Sequence, residues 1–192
     1  MTAKSLSSFK SGIAGLARPN RFTVSFTVPS TLTTFSYGSG AGSTDEFMVR
    51  SAQLPGKEIG EISGLTYFGM TYKVAGDPTF ADITLNFFNH KDFNLRSRFE
   101  AWMEAMSQTA DNTRGEPGDY KAVMTLNQLD LNNNVTATYH CHGVWPKSVG
   151  AIDVSQDTQD EVEKFDVAFS VDYWSDSSTE GDAAATSVVS LP

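Results

Sequence analysis

Residues 163–174, EKFDVAFSVDYW, decide the fold because they have the pattern of a long two-faced strand. One set of residues is apolar: Phe165, Val167, Phe169, Val171 and Tyr173. The alternating set is mostly polar: Lys164, Asp166, Ala168, Ser170 and Asp172. A period of two is typical of a β-strand with one face in the core. Such a strand is not stable alone, so the rest of the chain must supply its partners.

The composition indicates a globular and acidic protein. The chain has 192 residues, of which 40% are hydrophobic and 19% charged, and 14 Lys and Arg against 23 Asp and Glu give a formal charge of −9. This length fits one domain with tails. The negative charge disfavours adhesion to DNA or to an anionic membrane, since both bind clustered cations, but it permits a role beside DNA.

The sequence predicts no disulfide and no membrane segment. Cys141 is the single cysteine, which suits a reducing compartment. No stretch approaches the roughly 20 apolar residues of a membrane span, and residues 1–15 lack the apolar core of a signal peptide. We therefore expect a soluble, unprocessed protein without a membrane anchor.

Further strands are predicted where apolar residues alternate or β-forming residues cluster. They lie at residues 22–28, 47–54, 83–87, 121–129 and 135–144. Residues 59–74 are β-forming but broken by glycines, which predicts one or two irregular strands or a long hairpin. Three asparagines at 132–134 predict the turn between the last two strands, Gly76 to Thr79 predict another turn, and residues 151–154 predict a short strand.

One helix is predicted over about residues 92–106. Asp92 can cap its start, and apolar residues follow at spacings of three and four: Leu95, Phe99, Trp102, Met103 and Met106. Seven or eight strands with a single helix predict a mainly β fold, an antiparallel two-sheet β-sandwich or barrel with one flanking α-helix.

The composition also predicts the domain organisation. Residues 1–16 are expected to form a flexible N-terminal arm, residues 17–174 the β domain, and residues 175–192 a flexible C-terminal tail. Within the domain, the Ser-, Thr- and Gly-rich residues 31–44 are expected to form an exposed loop.

Motifs for catalysis and ion binding are incomplete. Gly64 and Gly69 have P-loop spacing, but Met70 stands where the lysine belongs. Residues 130–134 and 153–157 begin like calcium loops, but lack the turn glycine and the closing glutamate, so they are interpreted as turns. On a strand, His140 and His142 share one face while Cys141 points to the other, so the three do not chelate one ion. We predict no catalytic residue, no cofactor and no metal.

Five motifs, in this order, resemble those of one protein family. They are residues 17–22 (ARPNRF), 74–82 (VAGDPTFAD), 99–102 (FEAW), 143–150 (GVWPKSVG) and 172–174 (DYW). Together they resemble the tail tube proteins of contractile-tailed bacteriophages over most of the chain. Relative to that family, the loop at residues 31–44 is enlarged and residues 175–192 are an added tail.

The resemblance implies a structural virion protein of the tail-tube type. Its hexameric rings stack into a tube inside a contractile sheath, and double-stranded DNA passes through the tube into the host without specific binding. The implied partners are copies of the chain, the sheath, the baseplate, the tail terminator and the tape-measure protein. The implied location is the virion tail, after synthesis in the host cytoplasm, and no enzyme activity or cofactor is implied.

Two sets of residues are candidates for this role. Asp166 and Asp172 are predicted to line the channel, because a cationic wall would bind DNA phosphates and stall transit. Tyr67, Phe68 and Tyr72, in the glycine-broken segment, are predicted to contact neighbouring subunits.

Other readings stay open. The tube of a related contractile injection system that delivers protein is the first alternative. A carbohydrate-binding β-sandwich with exposed aromatics at Tyr37, Tyr67, Tyr72 and Trp174 is the second, and a small hydrolase is the third.

Overall fold

A computed structural model of the protein describes residues 6, 10, 17–38, 45–157 and 159–177. The arm predicted at 1–16 and the tail predicted at 175–192 therefore lie mostly outside the described residues. The strands are β1 (Phe22–Thr27), β2 (Val49–Ala52), β3 (Lys57–Tyr67), β4 (Met70–Phe80), β5 (Ile83–Phe88), β6 (Ala122–Leu129), β7 (Val135–Val149), β8 (Lys164–Ser170) and β9 (Tyr173–Asp176). One helix of thirteen residues, α1, spans Asn94–Met106; a 3-10 turn spans Asp45–Met48, and a single helical turn spans Pro117–Tyr120.

Seven strands form one antiparallel sheet that folds around the core, in the order β1-β6-β7-β8-β5-β2, with β9 also paired to β7. The long strand β7 joins two halves. Strands β1, β6, β7 and β9 make up the first sheet, and β7, β8, β5 and β2 make up the second sheet. The predicted antiparallel β fold with a flanking helix is confirmed.

Strand β7 passes from the first sheet to the second at Gly143, where φ is 66°. Opposite this point the run of residues 163–174 is interrupted, because Val171 and Asp172 leave the strand and the Asp172 N–H donates to the His142 carbonyl at 3.1 Å. The single strand predicted there is therefore two strands, β8 and β9, which both pair with β7. The prediction that the strand from Val135 ends at residue 144 is also wrong, since β7 continues to Val149.

The core is aromatic and lies between the two sheets and α1. The ring centroids of Phe26 in β1 and Phe169 in β8 lie 5.4 Å apart. Phe99 and Trp102 from α1 are completely buried. The Trp102 indole N–H donates to the Tyr120 carbonyl at 2.9 Å, which ties α1 to the short helical turn. None of the described helices combines the length and the apolar character of a membrane span.

The segment predicted as an exposed loop at residues 31–44 is a loop in its described part, residues 31–38, but three of its side chains are not exposed. Leu32, Phe35 and Tyr37 are buried in the core, and the ring centroids of Phe35 and Trp102 lie 4.6 Å apart. These apolar side chains occur at irregular spacing among Ser, Thr and Gly, so neither strand nor helix periodicity reveals them. Residues 39–44 lie outside the described residues.

Three local predictions are also corrected. Residues 76–79 are part of β4 instead of a turn, and Pro78, opposite Ile59, is tolerated because the other edge of β4 pairs with no described strand. Asp92 does not cap α1: the N-cap is Phe93 with φ 51°, and Asp92 pairs with His90 instead. Residues 151–154 form no strand.

The two end strands of the seven-stranded sheet approach each other without pairing. An apolar cavity of about 110 Å³ opens between Phe22, which starts β1, and Ala52 and Leu54, at the end of β2. The barrel is therefore open along this seam.

Candidate self-assembly surfaces

The hairpin of β3 and β4 is a separate two-stranded sheet. Each strand has 11 residues, and within the described chain the two are hydrogen-bonded only to each other. At about 3.3 Å per residue the ribbon extends roughly 35 Å. A two-stranded sheet is at best marginally stable alone in water, so this hairpin is expected to need a further contact.

The hairpin has one apolar face, although its apolar residues do not alternate in the sequence. The register pairs Ile59 with Pro78, Ile62 with Val74 and Tyr67 with Met70. Register shifts fall between residues 59 and 61 and between residues 62 and 65, beside the two glycines, Gly60 and Gly64. Between residues 62 and 65 the extra residue lies in β3, so Ile62 and Tyr67 share one face. Between residues 59 and 61 the extra residue lies in β4, so Ile59 stays on the face of Glu61.

The opposite face of the hairpin is polar. It carries Glu61 and Lys73, whose side chains form an ion pair at 3.0 Å, and further along Thr66 opposite Thr71. The hairpin is thus an amphipathic ribbon, whose polar face suits water and whose apolar face suits contact with another molecule.

The apolar face is exposed along its length, and its tip is aromatic. The exposed fractions are 78% for Tyr67, 91% for Phe68 and 70% for Tyr72, and Ile62 and Met70 are also more than half exposed. Phe68 and Gly69 both have positive φ, as in the tight turn of a twisted hairpin. An extended exposed apolar surface of this kind marks an interaction site. The structure thus brings Tyr67, Phe68 and Tyr72 together, and their contact with neighbouring subunits stays a prediction.

The sequence pointed to the tip but missed the body of this surface. Ile62, Met70 and Val74 extend it toward the base of the hairpin. The signal was present in Gly64, since a glycine inside a strand pattern often marks a bulge that resets the alternation.

The first sheet has two unpaired edges, β1 and β9, within the described chain. Its strands alternate in direction across β1, β6, β7 and β9, so the two edges run in opposite directions. An unpaired edge exposes backbone N–H and C=O groups that can pair with another chain.

Asp166 and Asp172 lie on different parts of the molecule. Asp166 is on the outward side of β8 in the second sheet, where its carboxylate accepts from the Asn86 side-chain amide at 2.5 Å. Asp172 lies between β8 and β9, and its carboxylate pairs with the Lys121 ammonium at 2.6 Å. The two do not form one surface, and the lumen-facing role stays a prediction for each.

The side chains of His140, Cys141 and His142 have structural contacts or are buried. The His142 ring stacks on the Tyr173 ring with 4.7 Å between the ring centroids, and His140 Nδ1 lies 3.3 Å from the Thr125 hydroxyl. Burial raises the pKa of the Cys141 thiol to about 12, which keeps it protonated and unreactive at neutral pH. Within the described ranges, no three His, Cys, Asp or Glu side chains are grouped as a metal site.

The Asp130 loop is a turn, as interpreted from the sequence. The Asp130 carboxylate accepts hydrogen bonds from the backbone N–H groups of Asn132 at 2.6 Å and Asn134 at 2.9 Å. These bonds, led by the one from Asn134, lower the pKa of Asp130. Asn133 holds the left-handed position at φ 63°.

Comparison with known proteins supplies the identity of this fold. A family profile described as phage tail tube protein matches residues 17–177. The chain belongs to this family. The tail tube protein gp19 of Enterobacteria phage T4 is 29% identical over 168 residues, covering 86% of this chain and 94% of that protein. The tail tube protein of Serratia phage KSP90 is 24% identical over 79% of this chain and 83% of its own length. The family resemblance predicted from five motifs is confirmed.

Solved structures share the tail tube fold. A chain of the sheath–tube complex of the extracellular contractile injection system PVC superposes with a TM-score of 0.58, at 13% identity over 91% of this chain and 98% of that one. A chain of the tube-terminating cap of the anti-feeding prophage superposes with a TM-score of 0.60, at 15% identity over 84% and 90%. These similarities support the two-sheet architecture.

Proposed function

We propose that the protein is the structural subunit of a contractile phage tail tube, in which hexameric rings stack around a channel for double-stranded DNA. The observation that carries the proposal is the amphipathic hairpin of β3 and β4, whose apolar face is exposed in the single chain. A subunit completed by copies of itself accounts for that face, and family membership gives the copies a tube to form.

Ring formation is supported by the two edges of the first sheet. Because β1 and β9 run in opposite directions, β9 of one copy can pair antiparallel with β1 of the next. A contact between two different surfaces repeats head to tail, and closes into a ring when the rotation between copies allows it. Pairing also removes the exposed edges.

Stacking is supported by the hairpin. Its apolar face offers a row of large side chains that ends in Tyr72, Tyr67 and Phe68, and aromatic side chains that become buried in a contact supply much of its binding energy. A ribbon of roughly 35 Å that pairs with no other described strand is long enough to contact a neighbouring copy.

DNA is the proposed cargo because the phage relatives are closer in sequence than the injection systems. The two phage tail tube proteins are 29% and 24% identical, whereas the two injection-system chains are 13% and 15% identical. The proposed partners are the sheath, the baseplate, the tail terminator, the tape-measure protein and the transiting DNA. The proposed location is the virion tail inside the sheath, after synthesis in the host cytoplasm, with no catalytic activity.

Electron microscopy of the purified chain tests the proposal through a pair of matched variants. The double variant Tyr67→Ser, Tyr72→Ser changes the apolar face, whereas Thr66→Ser, Thr71→Ser changes the polar face of the same ribbon. We expect wild type and the threonine variant to form tubes, and the tyrosine variant to form at least about tenfold fewer, as when buried aromatic contacts are lost. Equal tube yields from all three would contradict the role of the hairpin. A wild-type chain that stays monomeric at every concentration and binds a glycan would favour the carbohydrate-binding alternative.

A further inference from the structure

We propose that the DNA-facing wall of the channel is the outward surface of the first sheet, and that its lack of charged side chains lets DNA slide. This inference rests on the proposed tube function. We call this surface the neutral face, meaning the outward residues of β1, β6 and β9 and of β7 as far as His142. Its centre consists of Thr23, Ser25, Thr125, Asn127, Thr138 and His140.

Within β1, β6, β9 and residues 135–142 of β7, all of which the structure describes, no outward residue is Asp, Glu, Lys or Arg. The outward side of the second sheet differs, since β8 alone places Lys164 and Asp166 there. In a chain with 37 charged residues among 192, a whole sheet surface without one is a distinctive feature.

The polar side chains of the neutral face bond to one another across the strands. The Asn127 amide donates to the Thr23 hydroxyl at 3.3 Å, and the Thr138 hydroxyl donates to the Asn127 amide oxygen at 2.9 Å. In the next row, the Thr125 hydroxyl lies 3.3 Å from His140 Nδ1. Ser, Thr and Asn are common phosphate ligands in protein–DNA complexes. Side chains that already bond to each other give phosphates fewer free donors, while the wall stays hydrated.

Charged residues lie at the two ends of the neutral face, and each is bonded to another side chain. Lys121, directly before β6, pairs with Asp172 at 2.6 Å, so the two charges at this end compensate each other. Arg21, directly before β1, donates to the Asn133 side-chain oxygen at 2.7 Å.

Ring symmetry explains why an uncharged wall suits transit. Every side chain is repeated once per subunit, so one lysine becomes a ring of cations that binds phosphates by counterion release, and one aspartate becomes a ring that opposes entry of a polyanion. A neutral surface avoids both effects.

The first sheet is placed toward the channel by its edges. In the proposed ring it is the sheet that continues from copy to copy through β1 and β9, and its inner side is already packed on the core through Val24, Met124 and Leu126. Its other side, the neutral face, is then left to face the axis.

Cysteine labelling of assembled tubes tests this placement. Cys141 gives little background because it is buried and its pKa is raised to about 12. Thr125→Cys and, as a second position, Ser25→Cys report on the neutral face. Asp166→Cys reports on the second sheet, which this proposal places away from the channel, in contrast to the sequence-based prediction for Asp166. Each variant is reacted with a small maleimide and with a maleimide on a long polyethylene glycol, both as tubes and as dissociated subunits.

We expect Thr125→Cys to react at least about tenfold more slowly with the bulky reagent in tubes than in dissociated subunits, and to place small gold labels on the tube axis in electron micrographs. Axial labels from Asp166→Cys, with Thr125→Cys equally open to the bulky reagent in both states, would overturn the proposal. Failure of the wild-type chain to form tubes would instead count against the proposed function.

A DNA-ejection assay compares the variant Thr125→Lys with Thr125→Val as its control. In phage particles whose tails assemble normally, we expect the lysine variant to eject DNA at least about tenfold more slowly, with the difference shrinking as salt is raised. Unchanged ejection at low salt by the lysine variant would contradict the need for a neutral wall.

Discussion

The carboxylate of Asp172 lies over Gly143, in the space that a β-carbon on residue 143 would occupy. The same carboxylate pairs with Lys121 at 2.6 Å, and the backbone N–H of Asp172 donates to the carbonyl of His142. This arrangement lies where β7 leaves the first sheet for the second. Gly143 therefore determines how the two sheets are joined.

We expect Gly143→Ala to destabilise the subunit. The backbone at φ 66° costs a non-glycine residue about 1–2 kcal/mol, and the new β-carbon displaces Asp172 from Lys121. For a chain of this size each kcal/mol lowers the melting temperature by roughly 2–4 °C, which calorimetry measures. Gly118→Ala is the matched control, since a β-carbon there meets nothing within 4 Å and φ is not positive. Equal melting temperatures for the two variants would refute the role of Gly143.

Phe35→Ala and Phe68→Ala separate folding from assembly. Phe35 is buried against Trp102, so we expect its truncation to cost about 3–5 kcal/mol of unfolding free energy. Phe68 is 91% exposed at the hairpin tip, so we expect its truncation to leave subunit stability almost unchanged while lowering tube yield. Chemical denaturation and sedimentation of polymers measure the two effects. The reverse pattern would show that the loop at residues 31–38 is not part of the core.

Gly64→Ala tests whether the bulge aligns the apolar face. Residue 64 has φ 113°, which alanine adopts poorly, so we expect the bulge to rearrange and Ile62 to lose its register with Val74. Tube yield is then expected to fall severalfold, while the melting temperature of the body changes little. Gly56→Ala, just before β3 and with open space around it, serves as the control. Wild-type yield from Gly64→Ala would show that alignment of the face is not required.

Cys141 gives a pH-dependent prediction. The unfolded thiol ionises near its ordinary pKa of 9.0, while the folded thiol stays protonated until about 12. Its contribution to stability is therefore complete below pH 9 and is lost as pH rises toward 12, by up to about 1.4 kcal/mol for each pH unit. We expect the gap in unfolding free energy between wild type and Cys141→Ala to narrow over this interval. A gap that stays constant from pH 8 to pH 11 would contradict the burial of the thiol.

The sequence predicted the strands whose apolar residues alternate, and it missed what depends on distant partners. Phe165, Val167 and Phe169 alternate and are buried, as predicted. The break at Asp172 was hidden because its cause, Gly143, lies on another strand. For the same reason Asp166 and Asp172 seemed to share one face until the break separated them.

The candidate site was predicted in part. Glycines and aromatics located the tip of the hairpin, but the continuity of its apolar face depends on the bulge between residues 62 and 65, which only the strand register defines. The neutral face was not predicted, because it combines alternate residues from four strands that are far apart in the chain.

Cryo-electron microscopy of tubes grown from the purified chain tests the central claim most directly. We expect a hollow polymer of stacked six-membered rings in which the apolar face of each hairpin is buried against another copy and the neutral face borders the bore. A polymer in which that hairpin face remains in solvent, or a purified chain that forms no polymer with any tail partner, would contradict it.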